Sequence, residues 1–251
     1  MNNGSLFTRE EMCISINPLI QKPTVLWDFD GTLTKTTLFS ESMLRVLKKY
    51  YPKYEIDISE MKPYLQNVFP WHFPEMPHLD LTTPELWWHP IEKAIFEAYI
   101  SVGVAWDDAQ IMSAYIHLDY IDPNNFILYE DAFEVLDHFK KMGWNNIVLS
   151  NHVPELPAIA EQIGLAKVVD LCITSASIGY EKPNINAFRI ALEAANNPKT
   201  VWMVGDSVKA DIMGGQKAGI KTLLVHNQNH EEGIDSVNTL SEVIDFIVGK
   251  V

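Results

Sequence analysis

Hydrophobic residues follow two different rhythms along this chain. After residue 130, segments of helical spacing alternate with short β-rich runs, which predict strands over residues 146–149, 170–174, 200–204 and 221–225. The continuous apolar run from Val25 to Trp27 predicts one earlier, buried strand. Strands that alternate with helices form a parallel sheet covered on both faces. The sequence therefore predicts an α/β fold with a doubly wound parallel sheet.

The residues between the first two predicted strands follow a helical rhythm instead. Helical spacing runs from Phe39 to Tyr50 and resumes at Ile91, whereas residues 61–90 hold six prolines and should form short, broken pieces. A further helix is predicted from the apolar positions Ile111, Ala114, Tyr115 and Leu118. The tryptophans of this region are expected to be core rather than ligand-binding residues, with the alternative that one of them lines the pocket: Trp71, Trp87 and Trp88. We predict a mostly helical insert over residues 36–123 in a core made of residues 1–35 and 124–251.

Composition and net charge indicate which kinds of binding partner are unfavourable. Hydrophobic residues make up 47% of the 251 residues, and the formal net charge is −14. Without a basic run, neither nucleic acid nor an anionic membrane is expected as a partner. There is no apolar stretch long enough to span a membrane and no secretory signal at the N-terminus, where residues 1–22 should form a surface extension. Cys13 and Cys172 are far apart in sequence, which favours a reducing, cytoplasmic location.

Polar side chains follow four of the predicted strands at the point where each strand ends. Asp28 and Asp30 follow the first strand, and Ser150 and Asn151 follow the second. The third is followed, after a short loop, by Lys182, and the fourth by Asp206 and Asp211. Because the carboxyl ends of parallel strands lie along one edge of a sheet, we expect these groups to converge there.

Such a group can perform phosphoryl transfer. Carboxylate oxygens suit Mg²⁺, and a cation, a lysine and a hydroxyl can neutralise the charge of a phosphoryl group. Asp28, nearest the rigid strand, is the better candidate for a nucleophile that forms an aspartyl-phosphate. Asp30 can protonate the leaving alcohol and later take a proton from water.

The sequence also resembles a known superfamily. DFDGTLT, LSN, EKP and GDSVKAD, in this order, look like the four motifs of the haloacid dehalogenase superfamily. The run VGDSVKADIMGGQKAGI is especially similar to the fourth motif and the helix that follows it. The resemblance covers residues 24–34 and most of 130–226, and it departs from the usual third motif at Ile185, where a proline is common. It implies a core with the first strand central and a helical cap, as in the phosphoglycolate phosphatase-like group.

The resemblance also implies roles for individual residues. Asp28 would be the nucleophile and a metal ligand, and Asp30 the general acid and base, with its backbone carbonyl on the metal. Asp206 would bind Mg²⁺, while Asp211 would support the metal's water shell or Lys182. Phosphate would be bound by Thr32, Ser150, Asn151 and Lys182.

Alternative functions remain open at this point. The leading hypothesis is a Mg²⁺-dependent phosphatase acting on a small phosphorylated metabolite, as a monomer or homodimer. A phosphomutase acting on a sugar phosphate would use the same aspartates, whereas a 2-haloacid dehalogenase would need Asp28 but neither metal nor Asp30. A non-catalytic protein of the same fold is a further alternative, which failure to bind Mg²⁺ would favour. A dinucleotide-binding module is excluded because no GxGxxG follows the first strand.

Overall fold

A six-stranded, wholly parallel sheet lies at the centre of the molecule, with the strand order β3-β2-β1-β4-β5-β6. The computed structural model describes residues 21–36, 38–227 and 233–250. The strands are β1 Thr24–Trp27, β2 Asn145–Ser150, β3 Leu171–Thr174, β4 Val201–Gly205, β5 Lys221–Val225 and β6 Ser236–Val237. The predicted α/β fold is confirmed.

Strand β1 shows why the sheet is doubly covered. Each of its residues is fully buried, and successive side chains point to opposite faces. Val25 and Trp27 join one hydrophobic core, while Leu26 joins another on the opposite face. The indole N–H of Trp27 is satisfied by Asn146 Oδ1 at 3.1 Å. A strand with two apolar faces must lie between two layers of helices.

Ten α-helices occur among the remaining described residues. They are α1 Phe39–Tyr50, α2 Lys62–Leu65, α3 Pro84–Ser101, α4 Trp106–Tyr120, α5 Ala132–Lys141, α6 Leu156–Gln162, α7 Ser175–Ile178, α8 Ile185–Ala194, α9 Gly214–Lys217 and α10 Leu240–Val248. Short 3₁₀ turns occur at Ile58–Met61, Pro70–His72, Pro123–Asn125 and Leu165–Lys167, and the turn Val208–Met213 is π-helical. Strand β6 and helix α10 have no counterpart in the sequence prediction.

Between α1 and the 3₁₀ turn at residues 123–125, the described chain forms helices and no strand. We call residues 39–125 the helical segment. Trp87 and Trp88 are 1% and 2% exposed and belong to its core, as predicted. The division into a core and an insert at residues 36 and 123 stays a prediction.

Two details of the helical segment differ from the prediction. The broken stretch ends at Thr83 rather than Pro90, because Thr83 caps α3 by accepting a hydrogen bond from the Leu86 N–H, and Pro84 fits the first turn. Pro90 lies inside α3. Because proline has no N–H, the carbonyl of Leu86 lacks its helical hydrogen bond, and Leu86 is 53% exposed.

Helix α4 forms as predicted, but the residues used to predict it lie on its exposed side. Ile111, Tyr115 and Leu118 are 45%, 36% and 58% exposed. Its buried residues are Ala109, Met112, Ser113, Ile116 and Tyr120. Both faces of α4 carry apolar residues, so periodicity could not separate them.

Two sequence expectations concern the N-terminus and membranes. Most of the predicted N-terminal extension, residues 1–20, lies outside the described residues. Among the helices that the structure describes, none is long and apolar enough to cross a membrane.

Candidate active site

Residues that follow β1, β3 and β4 bring two carboxylates and a lysine into direct contact. Asp28 continues β1, and its N–H donates to the Val204 carbonyl at 2.9 Å. Lys182 Nζ lies 2.8 Å from Asp28 Oδ1 and 2.6 Å from Asp211 Oδ1. Asp28 is 8% exposed, and Lys182 and Asp211 are 2% and 0% exposed. These residues are far apart in sequence, and the convergence expected from the strand ends is observed.

A third carboxylate completes a cluster that could hold a metal ion. Asp28, Asp206 and Asp211 each offer an oxygen, and these oxygens lie within 4.8 Å of one another. Three carboxylates beside one lysine leave negative charge uncompensated, which is costly in a buried place. An all-oxygen donor set of this kind suits a hard divalent cation. The residues present therefore fit a metal such as Mg²⁺.

Two glycines allow the carboxylates to come this close. Gly31 has a φ of +78°, and a Cβ at this position would overlap Asp206 Oδ2. A Cβ on Gly205 would overlap the carboxylate of Asp211. The turn after β1 and the end of β4 thus need glycine for space, and at Gly31 also for its left-handed backbone.

The electrostatics follow from burial and mutual proximity. Burial, with the nearby Asp28 charge, raises the pKa of Asp206 to about 6. Burial likewise raises the pKa of Asp211 to about 7, although Lys182 opposes this. For Lys182, burial disfavours the charge, but the carboxylates of Asp211 and Asp28 outweigh it and raise the pKa of the ammonium. The lysine is charged, and the aspartates lack enough positive charge around them.

Asn151 holds the lysine loop in place. Its Oδ1 accepts from the Lys182 N–H at 2.6 Å, and its Nδ2 donates to the Lys182 carbonyl at 2.8 Å. Ser150, at the end of β2, is 2% exposed. The amide of Asn151 thus fixes the backbone of Lys182 directly. Phosphate binding by Ser150 and Asn151 stays a prediction.

Asp30 and Thr32 occupy the turn after Asp28. Asp30 lines a cavity beside the cluster. Its Oδ1 accepts from the Thr34 hydroxyl at 3.4 Å, and its Oδ2 lies 3.4 Å from His152 Nε2. Thr32 is fully buried, and its hydroxyl has no hydrogen-bond partner among the residues that the structure describes. The turn places Asp30 at the cavity, whereas Thr32 is enclosed.

Comparison with known proteins now decides the family. A profile of the haloacid dehalogenase-like hydrolases matches residues 22–219, most of the chain. The chain belongs to this family.

Named relatives of this hydrolase differ in their chemistry. The pyrimidine 5'-nucleotidase YjjG of Escherichia coli is 41% identical over 87 residues, 33% of this chain and 39% of that protein. The pyrophosphatase PpaX of Bacillus cereus is 26% identical over 206 residues, 80% of this chain and 82% of that protein. A solved 2-haloacid dehalogenase from Pseudomonas syringae superposes with a TM-score of 0.68 at 19% identity, covering 92% of this chain and all of the other; this likeness shows the fold alone.

The matched region is short in some relatives. The chain spans 39% of the length of the Escherichia coli nucleotidase and 57% of a mouse haloacid dehalogenase-like hydrolase domain-containing protein. Activity, substrate and partners are therefore matters for proposal.

Two buried residues of this hydrolase were not assigned a role from sequence. His152 follows Asn151 directly, is 1% exposed, and lies in a cage of Phe29, Tyr120 and Phe126 with ring centroids 5.5 to 6.0 Å away. Glu181 precedes Lys182 and is fully buried, and burial raises its pKa to about 7. Their position beside predicted site residues was the only available signal.

A cavity of about 480 Å³ lies beside the cluster and is lined by Lys182, which contacts Asp28 and Asp211. One part of its lining consists of loops at the strand ends and includes Asp30, Asn151, Lys182 and Ser207. Another part comes from the helical segment and includes Trp71. Trp71 packs against the core and also lines the cavity, which agrees with the alternative predicted for one tryptophan, whereas Trp87 and Trp88 do not line it.

Proposed function

We propose that this hydrolase is a Mg²⁺-dependent phosphatase that hydrolyses a small organic phosphate monoester through an aspartyl-phosphate on Asp28. The observation that carries the proposal is the meeting of Asp28, Asp206 and Asp211 with Lys182 beside a cavity that Asp30 also lines. Relatives named as a nucleotidase and a pyrophosphatase both release phosphate groups, which supports the assignment.

The two aspartates after β1 have different roles: Asp28 is the nucleophile, and Asp30 is the general acid and base. Asp28 attacks phosphorus, and the bond from phosphorus to the alcohol oxygen breaks while Asp30 gives its proton to that oxygen. In the second half, Asp30 takes a proton from water as the water oxygen attacks the same phosphorus. The bond to Asp28 breaks, phosphate leaves, and both aspartates return to their starting states.

The remaining residues of the site would offset the negative charge of the phosphoryl group. Asp28 and Asp206 would hold Mg²⁺, with the Asp30 carbonyl and with Asp211 nearby, and the bound ion would offset the negative charge of the phosphoryl oxygens. The ammonium of Lys182 would stabilise the charge that develops on those oxygens. Ser150, Asn151 and Thr32 are proposed as further phosphate-binding residues.

A dehalogenase would use fewer of the residues at this site than a phosphatase would. A dehalogenase would use Asp28 but would need neither Asp30 at the cavity nor a cluster of three carboxylates. The likeness to a solved dehalogenase is one of fold. The site therefore favours phosphate esters over halogenated acids.

Phosphate release from a panel of esters, with and without Mg²⁺, tests the proposal. We expect Mg²⁺-dependent release, and we expect Asp28→Asn to lower kcat roughly a thousandfold or more, because the isosteric amide cannot act as the nucleophile. Asp245→Asn is the matched control, since Asp245 is an exposed residue on α10.

Two outcomes would contradict the proposal. One is full activity in a folded Asp28→Asn variant. The other is Mg²⁺-independent release of halide from 2-chloropropionate without release of phosphate from any ester, which would establish the dehalogenase alternative.

A further inference from the structure

Aromatic side chains form part of the lining of the cavity, in addition to the polar residues of the strand-end loops. We call Phe39, Phe69, Trp71 and Tyr120 the aromatic wall; all of them line the cavity. Phe69 and Tyr120 are 5% and 4% exposed, and Phe39 and Trp71 are half-buried. The wall is therefore part of the packed molecule rather than a set of surface side chains.

The rings of the wall are fixed by one another. Phe69 stacks on Trp71 with ring centroids 4.6 Å apart and planes 5° apart, and it meets Phe39 edge-on at 4.9 Å. Behind them, Trp71 contacts the buried Trp87 at 5.5 Å. Offset and edge-on contacts of this kind hold aromatic rings in defined orientations. A ligand that contacts the wall meets a surface that is already in place.

The wall offers few hydrogen bonds to a ligand. Among the described lining residues from the helical segment, the polar atoms belong to Trp71, His72 and Tyr120, and none is a carboxylate, an amide or an aliphatic hydroxyl. A sugar with several hydroxyls would bury polar groups there without partners, which is unfavourable. The chemistry of the wall fits a flat, weakly polar group instead.

The size of the cavity points in the same direction. A volume of about 480 Å³ lies within the range of sites that enclose a ring-sized organic ligand. A two-carbon alcohol is much smaller than this volume and would leave most of the space without contacts. A leaving group that carries a ring would occupy more of the cavity, which Asp30 and Trp71 both line.

We infer that the substrate is a phosphate monoester whose alcohol carries a planar aromatic ring, and that Trp71 determines this specificity by contacting the ring. This inference rests on the proposed phosphatase activity. A nucleoside monophosphate and an arylmethyl phosphate share the required chemistry.

Two matched pairs of esters test the inference. A nucleoside 5'-monophosphate and ribose 5-phosphate release the phosphate from the same carbon and differ by the base. Benzyl and cyclohexylmethyl phosphate are similar in size and differ in the planarity of the ring. We expect kcat/KM to be roughly tenfold or more higher for the aromatic member, because stacking of a ring on an aromatic side chain is favourable.

Variants of Trp71 and Trp106 test whether Trp71 causes the preference for aromatic esters. Trp71→Ala should remove the preference, and Trp71→Phe, which keeps a ring beside Phe69, should retain it. Trp106→Ala is the control, since Trp106 is 60% exposed and does not line this cavity. Circular dichroism checks the folding of each variant. Binding of phenylphosphonate and methylphosphonate to the Asp28→Asn variant gives a readout without turnover, and phenylphosphonate should bind more tightly.

The outcomes separate the inference from the proposed function. A preference in both pairs, lost in Trp71→Ala alone, supports the inference for nucleosides, and a preference confined to the benzyl pair supports it for arylmethyl esters. Equal turnover within both pairs overturns it and leaves the phosphatase standing. The same holds if Trp71→Ala keeps the preference. Absence of Mg²⁺-dependent release from every ester overturns the proposed function, and the inference with it.

Discussion

His152 lies where it can position Asp30. Its Nε2 is 3.4 Å from Asp30 Oδ2, and neither ring nitrogen makes a hydrogen bond among the described residues. The backbone around it is fixed, since its N–H donates to Ser175 Oγ at 3.2 Å and its carbonyl accepts from Thr174 Oγ1 at 2.5 Å. A buried imidazole without hydrogen bonds is unfavourable for stability. Such a group is commonly found at functional sites, where stability is exchanged for activity.

His152→Phe separates these two effects. Phenylalanine fits among the rings of Phe29, Tyr120 and Phe126 but lacks the nitrogen that faces Asp30. We predict a kcat that is roughly tenfold lower with KM nearly unchanged, because the general acid loses its neighbour. The melting temperature should be equal or higher, since the variant buries no ring nitrogen that lacks a hydrogen bond. Steady-state kinetics and thermal unfolding measure both.

His138→Phe provides the control for loss of a histidine, as His138 is exposed on α5. An unchanged kcat in His152→Phe would show that His152 has only a packing role. A large fall in melting temperature would show that the contact of Nε2 with Asp30 stabilises the fold.

The sequence could predict the strand-end residues but not those that depend on loop paths. Asp28, Ser150 and Asp206 follow strands whose register is set by parallel pairing, with Trp27 opposite Val148 and Val204. The contact of His152 with Asp30 and the burial of Glu181 depend on the course of two loops. No periodicity encodes such a course, so these residues could not be assigned from sequence.

At the scale of elements, Glu155 joins the helical segment to the sheet. It lies just before α6, and its carboxylate accepts from the indole N–H of Trp88 at 3.1 Å and contacts His117 Nε2 at 3.2 Å. Trp88 on α3 and His117 on α4 stack with centroids 4.5 Å apart. One carboxylate therefore connects α3 and α4 to the loop before α6.

Removing this carboxylate should loosen the attachment. We predict that Glu155→Ala lowers the free energy of unfolding by about 1–3 kcal/mol, because the buried indole N–H of Trp88 loses its partner. It should also raise KM, since the aromatic wall would be less well positioned. Urea unfolding and steady-state kinetics measure the two effects. Glu161→Ala, an exposed position on the same helix, should leave both quantities unchanged, and a silent Glu155→Ala would refute the proposed attachment.

The helices themselves could be predicted only in part. The spacing that predicts α1 is strongly one-sided, and its buried residues include Met43 and Val46 as expected. Helix α3 runs through Pro90 because its cap at Thr83 and its packed tryptophans outweigh one lost hydrogen bond. In α4 the choice between two apolar faces is made by the neighbouring helices. Tertiary packing, which the local pattern does not contain, decides such cases.

At the scale of the whole molecule, an acidic chain carries a buried group of carboxylates where the proposed metal would bind. The chain has a formal net charge of −14, and one edge of its sheet holds Asp28, Asp206 and Asp211 around Lys182. Burial raises the pKa of Asp206 to about 6 and that of Asp211 to about 7. Since these values exceed those of an unfolded chain, the metal-free native state retains protons that the unfolded state has lost. The contribution of these two groups to the free energy of unfolding of the metal-free protein is largest at acidic pH and falls as the pH rises toward 7.

Mg²⁺ binding should have the opposite pH dependence. The ion binds carboxylates and must displace their protons, so its affinity should increase as the pH rises through 6 and level off above 7. We predict that the Kd for Mg²⁺ falls roughly tenfold or more between pH 5.5 and 7.5. Isothermal titration calorimetry in buffers of different ionisation enthalpy measures both the Kd and the protons released.

Asp206→Asn tests the source of this dependence. The amide cannot be deprotonated and is a weaker ligand, so this variant should bind Mg²⁺ less tightly and release fewer protons at pH 5.5 to 6.5. Asp245→Asn should retain the wild-type profile, since Asp245 is exposed and lies outside the cluster. A Kd that does not change between pH 5.5 and 7.5 in the wild type would mean that the carboxylates are already ionised without the metal. In that case Lys182 alone would suffice to hold their charge, and the uncompensated acidity of the sheet edge would no longer be an argument for a cation.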